Sequence, residues 1–256
     1  MKIRNLFAVI LTAFALPAVA GEPGALSASP AVVMLRGAAG QSTTQTLTIV
    51  NGTSQEFACD MVAKDIVVRD GKRVFVRAGE LPGSIAATAV FSRGKLLVEP
   101  GARAVVDVTL TIPSQPSVRG VVVLFQGTGK LKSGHMNVVA SLGTLLTFAI
   151  SEHVSANVSP LIVQLPTVTS NLAVEQQMTN SGSEPLFAKG MLAVVDGAGA
   201  LMAKEAIAGR RLLPGERAAM RASYGGELPP GHYRALVTYD LQNDKPLTST
   251  AEFDVR

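Results

Sequence analysis

A short string occurs twice in the chain and constrains its fold more than any other feature of the sequence. The second copy, LLPGERA, begins at Leu212 and matches LLVEPGARA, which begins at Leu96. Each copy leads into a run of alternating apolar residues, and each follows a turn that begins with an asparagine, at Asn51 or Asn180. Short strands separated by Asn/Gly/Ser and Pro-Gly turns are typical of β-sandwiches. The sequence therefore predicts an all-β chain of two tandem immunoglobulin-like β-sandwich domains.

The first twenty residues predict export. Lys2 and Arg4 precede an apolar run over residues 6–16, and residues 18–20 have the small-x-small pattern of a cleavage site. A membrane-spanning helix needs about twenty apolar residues, and Pro17 ends this run earlier. We therefore predict a signal peptide cleaved near Ala20, a periplasmic location and no stable membrane insertion.

The mature chain is long enough for two domains, each with its own core. We place the signal peptide at residues 1–20, the first domain at 21–152 and the second at 153–256. The second domain is expected to contain seven strands, and residues 151–159 are expected to form the crossover between the domains. Residues 201–208 fit either a short helix or a hairpin strand.

Charge and cysteine content limit the classes of function. The chain carries 23 Lys and Arg against 19 Asp and Glu, and two of these cations lie in the predicted signal peptide. No basic stripe with interleaved aromatic residues is present, so nucleic acid is not an expected partner. Cys59 is the only cysteine, which excludes an internal disulfide. Its apolar neighbours predict a buried, inert thiol.

Residues typical of catalytic and metal sites do not occur in recognisable patterns. His135, His153 and His232 lie in predicted loops without a second ligand at metal-binding spacing. The GTGK string at residues 127–130 lacks a glycine that a phosphate loop requires, and we interpret it as a hairpin tip. No Gly-x-Ser-x-Gly turn occurs. We therefore expect no catalytic residues, no metal and no cofactor, and we keep an enzyme whose residues meet only in the fold as an alternative.

Residues 138–150 are predicted to form the longest strand of the chain. Their even-numbered positions give an almost wholly apolar face, whereas Ser141, Gly143 and Thr147 lie on the other face. Alternation of this kind is ordinarily that of a core strand. At the end of the first domain, however, the strand would also be placed to present an edge to a partner strand.

Several of these features together resemble the periplasmic pilus-assembly chaperones. They are the Pro-Gly turn before a valine-rich strand, the sequence Pro-Ser-Val-Arg-Gly at residues 116–120, the long hairpin, and the alternating strand. The likeness covers most of residues 28–150 and is weaker in the second domain. Members of this family insert the last strand of their first domain into an unfinished pilin sandwich.

The resemblance implies a pilin-like or other exported subunit as partner, with an outer-membrane usher as a further partner. It also implies that the donor strand contacts the partner through one set of side chains. That set consists of Val138, Ala140, Leu142, Leu146, Phe148 and Ile150.

The chain departs from the family at the cations that hold the pilin's terminal carboxylate. The family places an arginine in the first strand and a lysine in the donor strand, and the corresponding residues here are Val32 and Thr144. Arg36, Lys130 and Lys132 are the candidate replacements.

Two non-chaperone interpretations also fit the residues. One is a non-catalytic envelope module that binds another surface protein or a glycan through its loops, and the other is the enzyme mentioned above. A homodimer through a free sheet edge is a further association that the sequence allows. Exposure of the even-numbered face of residues 138–150 at a sheet edge would favour the chaperone, whereas burial of both edges by neighbouring strands would favour the module.

Overall fold

The computed structural model describes residues 25–133, 136–167, 170–242 and 245–256. The predicted signal peptide lies outside these ranges. No helix within them is long and apolar enough to span a membrane. The strands of the first half are β1 (Leu26–Ser29), β2 (Val32–Arg36), β3 (Ser42–Asn51), β4 (Phe57–Arg69), β5 (Lys72–Arg77), β6 (Val90–Phe91), β7 (Lys95–Val98), β8 (Arg103–Thr111), β9 (Gly120–Gly127), β10 (Leu131–Ser133), β11 (Met136–Val138) and β12 (Ser141–Ala149). A single 3-10 turn covers Ala86–Thr88.

The strands of the second half follow after a short connection. They are β13 (Ala156–Val158), β14 (Ile162–Gln164), β15 (Leu172–Asn180), β16 (Leu186–Asp196), β17 (Leu201–Leu212), β18 (Arg217–Tyr224), β19 (Gly231–Asp240) and β20 (Leu247–Val255). The segment that fits either a helix or a strand in the sequence is therefore part of β17. The described residues of the second half form eight strands rather than the expected seven, because β13 lies within the predicted crossover.

Two sheets enclose the core of the first half. One sheet has the order β1-β3-β8-β6, and the other has the order β2-β12-β9-β4-β5, with β7 also paired to β4. Alternate residues of these strands point inward, and Leu47, Phe125 and Phe148 are among those with no exposed surface. Their burial between the sheets gives the sandwich its main stabilisation.

The second half has a separate core between two further sheets. In one sheet β15 pairs with β18 on one edge and with β13 and β14 on the other, while the second sheet has the order β17-β16-β19-β20. Leu192, Val237 and Tyr239 are fully buried between them. The predicted all-β class with two tandem immunoglobulin-like sandwiches is confirmed, and the exact domain bounds stay a prediction.

The duplicated string acts as a partner for a buried asparagine. In the first sandwich Asn51 Nδ2 donates hydrogen bonds to Gln55 O at 2.7 Å and to Val98 O at 2.8 Å. Gly101 N donates to Asn51 O at 2.7 Å. The side chain of Asn51 thereby joins the end of β3 to the end of β7, and its main-chain carbonyl joins β3 to the Pro-Gly turn that follows.

The second sandwich repeats this arrangement. Asn180 Nδ2 donates to Glu184 O at 2.8 Å and to Leu212 O at 3.0 Å, and Gly215 N donates to Asn180 O at 2.9 Å. In each half, the asparagine turn is therefore hydrogen-bonded to the copy of the duplicated string, which explains why the two occur together.

The sequence also predicts a hairpin turn at Asp70-Gly71 and a structural tyrosine corner at Tyr233, and both are confirmed. Tyr233 Oη donates to Pro229 O at 2.6 Å, which is the tyrosine corner typical of immunoglobulin-like domains. Asp70 and Gly71 have φ values of 53° and 78° and join β4 to β5. Two consecutive residues with positive φ are the signature of a two-residue hairpin turn.

Charged side chains and a small apolar cluster join the two sandwiches. Arg119 Nε lies 3.3 Å from Glu184 Oε2. Leu213 of the second sandwich packs with Ile66 and Val122 on the outer face of the first. The two domains are thus held together by several polar contacts, among them the ion pair of Arg73 with Glu216, and by an apolar cluster.

Candidate partner-strand site

β12 is only half covered along one of its edges. β9 pairs with residues 141–147 along the first edge, and β2 runs parallel along the second edge over residues 145–149. In the described part of the chain, residues 141–144 have no strand on that second edge. The edge is therefore open where β12 begins and closed where it ends.

The residues of β12 that pair with β2 show which peptide groups of β12 face the open edge. Leu145 N donates to Ala31 O and Gly37 N donates to Ala149 O, so odd-numbered residues face the β2 side. Because the peptide groups of alternate residues in a strand point to the same edge, those of Ser141 and Gly143 face the open side. Both residues are exposed.

The predicted partner-binding side chains fall into two groups. Leu146 and Phe148 are fully buried in the core of the first sandwich, and Ile150 packs against that core. Ala140 and Leu142 are partly buried at its margin. Leu146 and Phe148 therefore fill the core of the chain's own sandwich and offer no surface to a partner.

Exposed apolar surface lies before β12 rather than along it. Val138 is 39% exposed and Val139 is 60% exposed. With Ala140 and Leu142, they form an apolar strip that accompanies the open edge. We call residues 136–144 the open edge segment.

The strand predicted over residues 138–150 is interrupted. β11 ends at Val138 and β12 begins at Ser141, and Ala140 O accepts a hydrogen bond from Gly127 N at 3.0 Å. The longest strand of the described chain is β4, with 13 residues. The predicted hairpin tip at residues 127–130 is also wrong, because Leu131 pairs with Val138 and the hairpin continues beyond it.

The two positions where the sequence departs from the chaperone family are neighbours in the sheet. Val32 pairs with Leu145. Thr144 has no exposed surface, and its Oγ1 donates to Pro30 O at 2.8 Å. This hydroxyl ties the chain before β2 to β12, so the site holds a neutral structural contact.

The candidate replacement cations lie apart from this position. Arg36 is at the other end of β2, about 13 Å from Val32 along the strand, and lies 3.7 Å from Glu152 in an exposed ion pair. Lys130 is exposed ahead of β10. Lys132 belongs to β10, but its side chain lies outside the described residues.

Arg211, from the second sandwich, is a cation near this site that sequence reasoning missed. Its Nη1 donates to Thr147 Oγ1 at 3.3 Å, and its guanidinium lies 5.7 Å from the centre of the Phe187 ring. Burial, together with the nearby charge of Arg73, lowers the pKa of Arg211. No acidic residue of the described chain forms an ion pair with it.

Beside Arg211 the two sandwiches enclose a cleft of ≈ 260 Å³. Met34, Arg36 and Ala149 line the cleft from the first sandwich and Phe187 lines it from the second. Arg211 does not line the cleft itself but lies over the ring of Phe187, which does. A signal in the sequence was the pair Arg210-Arg211 directly before the second copy of the string, but its role depends on how the domains are oriented.

The groups that could carry other chemistry are dispersed. No cluster of three or more His, Cys, Asp or Glu in the described ranges could hold a metal ion. His232 Nδ1 lies 2.9 Å from Asp254 Oδ1 on an exposed surface, His153 is exposed, and His135 lies outside the described residues. Cys59 is buried, as predicted, and burial raises the pKa of its thiol to about 11, with a smaller contribution from Asp60.

Neither a family model nor a curated protein matches the sequence. Several solved structures are similar to the chain. The class 5 fimbriae chaperone CfaA is similar, with 12% identity, a TM-score of 0.46 and coverage of 88% of this chain and 98% of that chain. A chain from the Salmonella enterica SafA pilin in complex with the SafB chaperone has 13% identity and a TM-score of 0.42, with 91% and 99% coverage.

The Pseudomonas aeruginosa CupB2 chaperone is similar at 11% identity and a TM-score of 0.38, with coverage of 90% of this chain and 100% of that chain. Fimbrial chaperones, which the sequence resembles, are thus among the solved structures that are similar to this chain.

Proposed function

We propose that the protein is a non-catalytic, periplasmic chaperone-like protein that binds pilin-like or other exported β-rich subunits by adding an edge strand to them. The observation that carries this proposal is the open edge of β12, where the peptide groups of Ser141 and Gly143 face away from β9. An extended segment of a partner gains main-chain hydrogen bonds at such an edge, and alternate side chains give specificity.

The proposed contact is centred on the open edge segment. Each main-chain hydrogen bond contributes about 0.5–1.5 kcal/mol net, so a short edge alone gives weak binding. The exposed surface of Val138, together with the margins of Ala140 and Leu142, adds apolar area at about 25 cal/mol per Å². Leu146, Phe148 and Ile150 support the strand from the core side in this proposal.

We further propose Arg211 as the cation that takes the partner's terminal carboxylate. A half-buried guanidinium without an acidic partner gains more from a carboxylate than an exposed lysine does, because charge-assisted hydrogen bonds strengthen when water is excluded. Arg36, Lys130 and Lys132 keep the role of secondary candidates, since Arg36 already faces Glu152 and Lys130 is exposed.

A non-catalytic envelope module is the second candidate function. The observation in its favour is that β2 covers the second edge of β12 over residues 145–149. In that case the open edge is too short to matter, and binding would involve the loops instead. Pairing of the open edge with a second copy of the chain, and participation of an usher, are further associations within the proposal.

The test is co-purification of the mature protein from its host periplasm, followed by mass spectrometry of the proteins that co-elute. Ser141→Pro removes an N–H on the open side and leaves the β9 pairing intact, and Val138→Glu with Val139→Glu charges the apolar strip. We expect recovery of an exported β-rich subunit to fall at least about tenfold with either change.

The matched control is Val90→Glu with Leu97→Glu, which charges two exposed apolar residues away from this edge. This control is expected to retain the subunit. Equal recovery with the edge variants and the wild type would refute strand addition. A self-associated species in sedimentation that Ser141→Pro abolishes, without any co-eluting subunit, would replace it by the homodimer.

A further inference from the structure

A second candidate surface lies at the opposite side of the same sheet, where β5 forms the far edge. The turn between β4 and β5 packs there against the chain between β17 and β18. Arg217 N donates to Gly71 O at 3.0 Å, and Arg73 Nη2 donates to Arg211 O at 2.7 Å. Two segments distant in sequence are thus joined side by side at the domain junction.

These two segments concentrate positive charge. Together they carry six cations and two acids, and we call this group the junction patch. Its members are Arg69, Asp70, Lys72, Arg73, Arg210, Arg211, Glu216 and Arg217. The patch has four positive charges in excess, whereas the rest of residues 25–256 carries 15 Lys and Arg against 16 Asp and Glu. The excess positive charge of residues 25–256 is therefore concentrated in the junction patch.

Most of this charge is not neutralised by the protein itself. Glu216 Oε1 lies 2.8 Å from Arg73 Nε, which accounts for one cation. Arg69, Lys72, Arg210 and Arg217 are exposed, and none of them forms an ion pair with an acidic residue in the described ranges. On a solvated surface, basic residues usually alternate with acidic ones, but Asp70 is the single exposed acidic residue of the junction patch.

A crevice with both apolar and polar walls opens beside the cations. It has a volume of ≈ 350 Å³ and lies between the sandwiches, with Val68, Val118 and Leu213 among its apolar lining residues and Ser117, Arg119 and Ser183 as its polar ones. Val68 directly precedes Arg69 in the chain, so the crevice and the charged rim are contiguous. A ligand at this place would meet positive charge at the rim, and apolar side chains beside polar groups inside.

We propose that the junction patch binds an extended acidic segment of a partner protein, with carboxylates at the arginines and an apolar side chain in the crevice. Five of the six cations are arginines, whose planar guanidinium groups match carboxylates with paired hydrogen bonds. A flat anionic membrane cannot enter a crevice between two domains, whereas a chain with alternating acidic and apolar side chains satisfies both parts of the surface. This binding surface is distinct from the open edge segment, which lies across the sheet, and the two proposed surfaces share Arg211.

The test measures binding of a short fluorescent peptide of alternating glutamate and leucine to the mature protein by anisotropy. We expect binding that weakens as salt is raised, because exposed charges are screened. The triple variant Arg69→Glu, Lys72→Glu and Arg217→Glu should weaken it by at least about tenfold. The milder pair Arg69→Gln and Lys72→Gln, which keeps Arg217 and introduces no acidic residue, should weaken it by a smaller factor.

Two control variants and two control ligands decide the outcome. Arg93→Glu, Lys95→Glu and Arg103→Glu reverse the same number of exposed charges elsewhere and should leave binding unchanged. Ser141→Pro should also bind normally, which separates this surface from the strand edge. Equal losses in both triple variants, equal binding of the peptide with glutamine in place of glutamate, or binding only to phosphatidylglycerol vesicles would overturn the proposal.

Discussion

Arg119 Nε and Glu184 Oε2 lie 3.3 Å apart across the junction of the two sandwiches, with side-chain exposures of 19% and 3%. The same carboxylate accepts a hydrogen bond from Ile150 N at 2.9 Å and from Ser151 Oγ at 3.2 Å. The Glu184 side chain of the second sandwich therefore contacts both Arg119 of the first sandwich and the chain that leaves β12. The direction in which the open edge points relative to Arg211 depends on this contact.

Glu184→Gln should loosen the junction, because it removes the charge that Arg119 faces in a largely buried place. We expect the free energy of unfolding to fall by about 2–3 kcal/mol, measured by urea denaturation. Small-angle scattering should show a wider distribution of domain angles. Glu175→Gln is the matched control, since its ion pair with Arg221 is exposed, and it should change neither quantity measurably. A stable, rigid Glu184→Gln variant would contradict this role.

Asn51→Ala should destabilise the first sandwich strongly. The change leaves the carbonyl oxygens of Gln55 and Val98 without their donor, and an unsatisfied buried group costs about 1–3 kcal/mol. Asn180→Ala should have a similar effect on the second sandwich, because its hydrogen bonds are equivalent. Thermal unfolding monitored by circular dichroism checks both, and Asn157→Ala at an exposed position of β13 is expected to be neutral. Unequal losses from Asn51→Ala and Asn180→Ala would show that the two asparagines do not contribute equally to stability.

Gly101→Ala tests the backbone of the Pro-Gly turn. Gly101 has a φ of 73° and no atom within 4 Å of the place where a Cβ would be, so only its conformation disfavours a side chain. We expect a loss of about 1 kcal/mol in unfolding free energy. Gly94→Ala is the counterpart, because Gly94 also has open space but lacks a positive φ, and it should be neutral or slightly stabilising. Equal effects of the two changes would speak against a conformational cause.

Cys59 should resist alkylation in the folded protein. Burial raises the pKa of its thiol to about 11 from a usual value near 9, so the reactive thiolate is scarce at pH 8. Iodoacetamide followed by mass spectrometry should label it only after denaturation. Because the folded protein holds this proton more tightly, the associated stability is present below about pH 9 and is lost as pH rises towards 11. Rapid labelling of the native protein at pH 8 would contradict burial.

Much of the fold follows from local patterns in the sequence. The Asp70-Gly71 turn, the tyrosine corner at Tyr233 and the two asparagine turns were all predicted, because turn chemistry is set by a few adjacent residues. β13 was missed because it has three residues and is flanked by polar positions. The helix-like spacing in β17 was ambiguous, since short apolar runs fit both periods.

The site could be predicted only in part. Alternation places Leu146 and Phe148 on one face, but it does not say whether that face meets the chain's own sheet or a partner. Arg211 was missed because its contact with Thr147 joins residues 64 positions apart, on different domains. Charge patches that assemble from two hairpins, such as Arg69 and Arg217, are likewise set by domain orientation.

The parallel pairing of β2 with residues 145–149 has a consequence for selectivity. In the proposed strand addition, a foreign strand that enters along the open edge can run beside eight residues, from Met136 to Gly143, which is about 26 Å. At Thr144 it meets Pro30, whose carbonyl oxygen accepts a hydrogen bond from the Thr144 hydroxyl, and further pairing requires β2 to leave the sheet. In that case β2 sets the length of segment that fits without rearrangement, so that partners would be sorted by the size of the gap in their sheet as much as by its side chains.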